Sequence, residues 1–141
     1  MGFTFDGQYM YFTDSQVRTI WLVNYDRQTG SLGRMKQFLQ TPEDEGVPDG
    51  MTVDADGDVW SARWDGWAVY RYDPNGRLRQ KVELPVKKAT SVIFGGENLE
   101  DLYITSAGGD DLEGNGHQAG ALFRVRVDAR GWPEYLSRIG L

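Results

Sequence analysis

The chain has 141 residues, 40% hydrophobic and 13% aromatic, with a formal net charge of −6. That length and composition suit one domain with a core and exclude a disordered chain. The acidic balance argues against non-specific binding to nucleic acid or an anionic membrane, since both need clustered Lys and Arg.

Eighteen glycines are scattered along the chain, and each would cost about 1 kcal/mol inside a helix. Strand signals run throughout instead. A short apolar strand at 2–5 is followed by the turn F-D-G-Q and by Y-M-Y-F-T (9–13). T-I-W-L-V-N-Y (19–25) and 34–39 complete a first group, with Q-T-G-S between them. After the acidic loop Glu43-Asp44-Glu45 a second group begins at 50–53. It continues through the turn D-A-D-G-D to 58–64, W-D-G-W to 67–72 and D-P-N-G to 78–84. A third group comprises 91–94, 101–105 and 121–127, with a fourth strand expected at 135–139. The strands are β-branched and aromatic, and the turns carry Gly, Asn and Asp where hairpins need them.

The groups repeat in order. Each has a short inner strand, a turn, a second strand centred on an aromatic residue, and two outer strands. The aromatic anchors Tyr11, Trp60 and Tyr103 recur after 49 and 43 residues. Four strands at a period of roughly 40–50 residues are the signature of a β-propeller blade. The expected fold is all-β: one half β-propeller over 1–141, with blades at about 2–40, 48–86 and 89–140. Closed propellers have about four to eight blades. Three blades form an open arc that exposes two apolar faces. The competing fold is an antiparallel sandwich of about ten strands.

No run of 18 apolar residues is present, so no membrane-spanning helix is expected. The start M-G-F-T-F-D-G lacks the basic and apolar regions of a secretion signal, and Asp6 breaks a myristoylation pattern. A cytoplasmic protein is the expectation. The absence of cysteine and the single histidine, His117, exclude disulfides, thiol catalysis and His- or Cys-rich metal centres. Any metal must rely mainly on oxygen ligands.

Several stretches resemble the senescence marker protein, gluconolactonase and luciferin-regenerating enzyme (regucalcin-like) family. They include Y-F-T-D-S (11–15), P-E-D-E-G-V-P-D-G-M-T-V-D-A-D-G (42–57), V-W-S-A-R-W (59–64), R-Y-D-P-N-G (71–76), T-S-V-I-F-G-G (90–96) and L-Y-I-T-S-A (102–107). The resemblance runs in order over nearly the whole chain. It implies a six-bladed propeller of which this chain looks like the C-terminal half. It also implies hydrolysis of a small sugar lactone with a divalent cation, Ca²⁺ or Zn²⁺, in the central channel.

By this resemblance Asp49 aligns with a metal-ligating aspartate that also serves as general base. A cation there polarises the lactone carbonyl and acidifies bound water, and the carboxylate takes the proton. Met1, Asp49 and Thr90 are expected to open the three inner strands equivalently, so that Met1 stands where the family has a ligating Asn before Gly2. Asp14, Thr90 and Ser91 are expected to line the channel beside Met1 and Asp49. The family's other ligands belong to the N-terminal half. The ring is expected to be closed by a second copy, as a homodimer, or by a separate chain carrying the N-terminal blades. The alternative is a non-catalytic binding or scaffold half-propeller from a truncated gene.

Other residues have blander readings. D-A-D-G-D has its Gly in the wrong place for an EF-hand and reads as a hairpin turn. Glu43-Asp44-Glu45 reads as a solvated loop, and His117 as a surface residue. Trp64, Trp67 and Trp132 read as blade packing rather than sugar platforms.

Overall fold

The computed structural model describes residues 1–134. Its strands form three antiparallel meanders. The first blade is β1 (Gly2–Phe3), β2 (Tyr9–Asp14), β3 (Thr19–Tyr25) and β4 (Leu32–Gln40), paired in that order. The second is β5 (Val47–Val53), β6 (Val59–Trp64), β7 (Ala68–Tyr72) and β8 (Leu78–Glu83). The third holds β9 (Ala89–Gly95), β10 (Asp101–Ser106) and β11 (Leu122–Arg126), with one helical turn, α1 (Leu112–Asn115), in the loop before β11. The fourth strand expected at 135–139 lies outside the described residues. The inner strand β5 packs between β1 and β9. This stacking of meanders is a propeller arc, not a two-sheet sandwich.

The second blade buries both of its faces, and its sequence alternates accordingly. Trp60, Ala62 and Val69 point toward the third blade, where they join Val92, Phe94, Leu102 and Ile104 in one core cluster. The Trp60 and Phe94 rings meet edge to face at 5.6 Å, a favoured aromatic geometry. Val59 points the other way and packs with Tyr11, Ile20, Met51 and Val53. Ala68, Tyr70 and Tyr72 continue that side against Phe38 and Leu39 of β4. Fully burying side chains of this size contributes about 1.5–3 kcal/mol each. The arc's two ends have no such cover within the described chain. Phe12 and Met35 on the first blade, and Ile93 and Leu122 on the third, are exposed.

Between the first two blades the core turns polar. Arg63 is fully buried. It donates to Ser61 Oγ and, at 2.9 Å, to the Tyr72 hydroxyl. Its guanidinium carbon lies 4.9 Å from the centre of the Tyr70 ring. The Tyr72 hydroxyl in turn donates to Glu45 Oε2 at 3.4 Å. So the expectation of a solvated acidic loop holds for Glu43 and Asp44, which are exposed, but not for Glu45, which turns inward. Burial lowers the Arg63 pKa, and Tyr72 and Glu45 oppose that shift.

The D-A-D-G-D turn is the expected β5–β6 hairpin. Asp54 Oδ1 accepts from the backbone N–H of Asp56 and Asp58, while Oδ2 accepts from Trp60 Nε1 at 2.9 Å. Arg71 pairs with Asp54 at 2.7 Å and with Asp58 at 2.9 Å. These carboxylates are structural, because every buried charge here has an arginine partner.

Two outcomes follow from this core. Replacing Arg63 by Ala removes the buried cation that bonds Tyr72 and lies over Tyr70, and urea unfolding should show a loss of about 3 kcal/mol or more. Burial raises the pKa of Tyr11 and of Tyr72 from 10.0 to about 12. A raised folded pKa means that their contribution is complete below pH 10 and lost as the pH climbs toward 12. Stability measured in urea should fall through that window, and Tyr11→Phe should flatten the fall.

Candidate functional site

Asp49 sits at a defect in its strand. Pro48 pairs with Arg63, and the next regular pair is Met51 with Ser61. Asp49 and Gly50 therefore face the single residue Ala62, which is a β-bulge. The bulge turns this short stretch out of the ladder and leaves Asp49 half-buried. Burial raises its carboxyl pKa, and a hydrogen bond from the Gly50 N–H partly offsets the rise.

The bulge lies against the third blade. A Cβ added to Gly50 would stand 2.6 Å from both Ser91 Oγ and the Thr90 carbonyl oxygen. Only glycine permits so close an approach of backbones. Asp49-Gly50 is thus brought beside Thr90-Ser91, and the Thr90 and Thr105 hydroxyls are 2.8 Å apart. From the first blade, Ser15 Oγ donates to the Pro48 carbonyl at 2.8 Å. Its neighbour Asp14 is half-buried at the end of β2, opposite Thr19.

Met1 departs from its expected place. Counted from the aromatic anchors, Tyr11 pairs with Gly2, whereas Trp60 pairs with Thr52 and Tyr103 with Ile93. Gly2 is therefore level with Thr52, and Met1 with Met51 and Val92. The Asp49 and Thr90 positions correspond, but Met1 lies two residues deeper along the strand. Packing agrees, because a Cβ on Gly2 would meet Val53 Cγ2 at 2.9 Å. Met1 is exposed and borders a cavity of about 110 Å³ with Phe3, Met51, Thr52, Trp132 and Glu134. That is below the roughly 300–1,000 Å³ of ordinary ligand pockets. A groove of about 350 Å³ along Asn24, Tyr25 and Leu32 lies at the opposite end of the first blade from the β2–β3 turn.

A divalent cation does not fit the donors that this chain supplies alone. Ca²⁺ takes 6–8 oxygen ligands, and Asp49 is a single carboxylate beside two hydroxyl residues. Among the described residues no group of three Asp, Glu, His or Cys side chains converges. His117 is exposed in the loop before β11. Trp64 stacks under the Lys88 ammonium at 4.5 Å, and Trp132 meets Phe5 edge-on. Lys88 also pairs with Asp65 in the β6–β7 turn. Arg18, which grips the loop leading to Asp49, carried no motif signal, because its partners are backbone carbonyls.

A partial propeller with a half-buried carboxylate on a bulged inner strand defines a structural class. Comparison with known proteins supplies the family. Residues 1–108 match the SMP-30/Gluconolactonase/LRE-like region. The chain belongs to that family of lactonase-like proteins. It is 45% identical to the pentonolactonase XacC of Haloferax volcanii, over 100% of this chain and 51% of that protein. It is 39% identical to regucalcin of Danio rerio, over 96% of this chain and 48% of that one. The calcium-binding protein regucalcin of Agrobacterium tumefaciens superposes with a TM-score of 0.88 at 34% identity, covering 98% of this chain and 48% of that one. The chain spans about half the length of the curated relatives it matches. Among the described residues no helix is long and apolar enough to cross a membrane.

The Gly50 contact can be tested directly. Gly50→Ala places a methyl against backbone of the third blade, which cannot yield as a side-chain tip can. Chemical denaturation should show a loss of about 1–3 kcal/mol.

Proposed function

We propose that this chain is the Asp49-bearing half of a sugar-lactone hydrolase, active once three further blades close the channel. The observation that carries this reading is Asp49: a half-buried carboxylate displaced from its ladder by a bulge whose flanking residues Pro48 and Gly50 touch Ser15 of one neighbouring blade and Ser91 of the other. The likeness to a pentonolactonase supports the substrate class. A second copy of the chain, or a separate chain with the N-terminal blades, supplies the remaining walls. The exposed apolar residues Phe12, Met35, Ile93 and Leu122 at the arc's two ends support such a partner.

Lactone hydrolysis needs a base to take a proton from the attacking water. In this reading that role falls to Asp49. The hydroxyls of Thr90 and Ser91 beside the bulge can donate to an oxygen of the substrate. A divalent cation, when bound, would polarise the lactone carbonyl. Asp49 would give it one ligand, and the closing blades would give the rest.

The test begins with molar mass by light scattering after size exclusion, then hydrolysis of gluconolactone and pentonolactones with Ca²⁺ or Zn²⁺. A dimer, or a complex with a co-purifying chain, that hydrolyses them above the spontaneous rate supports the reading. A monomer without activity or metal binding favours the scaffold alternative.

Asp49→Asn should reduce kcat at least 100-fold, the usual size of a lost general base. It should also melt at or above the wild-type temperature at pH 7. A raised folded pKa opposes stability once the pH exceeds it, so removing the charge relieves that term.

A further inference from the structure

We propose that Arg18 and Ser15, in the β2–β3 turn of the first blade, are positioning residues for Asp49 in the second. The inference rests on Asp49 being the site carboxylate. Ser15 Oγ holds the carbonyl of Pro48, the residue directly before it, at 2.8 Å. Arg18 Nη2 donates to the Pro42 carbonyl at 2.5 Å and to the Gly46 carbonyl at 2.7 Å, and Nε reaches the Thr41 carbonyl at 3.5 Å. The link also runs the other way, since the Thr41 N–H donates to the Arg18 carbonyl at 2.8 Å. One turn of the first blade thereby fixes the whole connection, residues 41–48, that delivers Asp49.

One further observation separates this clamp from ordinary turn bonding. The bulge leaves Asp49 and Gly50 without regular partners on β6. The ladder that fixes every other residue of β5 thus stops where the carboxylate needs fixing, and the clamp restores the restraint from across the blade interface. Arg18 adopts φ +56°, as Trp67 does at the same place in the next blade's turn, so the left-handed turn sets the backbone from which the guanidinium reaches. The guanidinium's bonds reach three carbonyls along the connection. A lysine ammonium has no planar fork with which to reproduce them all.

The chain has no cysteine, so Asp49→Cys creates a single site for a nitroxide label, whose mobility is read by electron paramagnetic resonance. With Arg18 and Ser15 present the spectrum should be motionally restricted. Adding Arg18→Ala should raise label mobility several-fold, Ser15→Ala should raise it less, and Arg18→Lys should fall between Arg18→Ala and the parent. A label at Gln80→Cys on β8 should be unaffected by all three. An unchanged spectrum at position 49 in Arg18→Ala would overturn the proposal, as would equal loosening at both labels, which marks a general loss of structure. If Arg18→Ala does not fold, Ser15→Ala and Arg18→Lys decide by the same criteria. The spectrum needs neither metal nor lactone. A chain that shows the clamp but hydrolyses nothing would sink the lactonase reading alone.

Discussion

The double-sided burial of the second blade is the constraint on which the rest of the structure depends. A sheet with one covered face tolerates slippage wherever its outer face is indifferent. A sheet covered on both faces does not, because a one-residue slip sends every side chain to the wrong neighbour. In β6 and β7 the alternation places Trp60, Ala62 and Val69 on one side, and Val59, Tyr70 and Tyr72 on the other. The two adjoining blades are thereby held at fixed positions, and β5 is wedged between β1 and β9. The Asp49 carboxylate inherits its place from that wedge.

The interface between the first two blades is built differently from that between the second and third. The latter is apolar at its centre, around Trp60 and Phe94. The former contains Arg63, Tyr72 and Glu45, together with the Arg18 and Ser15 contacts to the 41–48 connection. Hydrogen bonds are directional where apolar packing is not. The polar part of the first interface can therefore set the orientation of the connection leading to Asp49, while the apolar clusters of both interfaces supply the cohesion. The division also explains why the site's second-blade residue is gripped from the first blade and merely touched by the third, through Gly50 and Ser91.

Much of the fold was legible along the chain. The strand runs 9–13, 19–25, 58–64 and 101–105 differ from the observed strands by a residue or less at each end, because β-branched and aromatic runs between Gly, Asn and Asp turns have few alternatives. The D-A-D-G-D turn and the position of Asp49 on the inner strand were legible for the same reason. Less so was the alignment of one blade with the next. Matching Met1 to Asp49 through the shared glycine was natural in the sequence. The ladder instead sets Gly2 level with Thr52, since Gly2 stands nine residues before its anchor and Gly50 ten before its own, and the first-blade turn is one residue longer. Glu45 read as solvated because its partners, Arg63 and Tyr72, lie 18 and 27 residues away.

The sequence by itself determined the local elements, the threefold repeat of the strand meander, the family and the one carboxylate worth following. These depend on patterns within a few residues or on a recurring period, and a linear reading captures both. The tertiary structure alone decided the bulge that frees Asp49 from its ladder, the contact of Gly50 with Ser91, the inward turn of Glu45 and the grip of Arg18 on the carbonyls of Pro42 and Gly46. Each of these joins residues far apart in the chain through backbone atoms or buried polar groups. Backbone carbonyls are the same at every position, so no residue type announces which of them an arginine will hold.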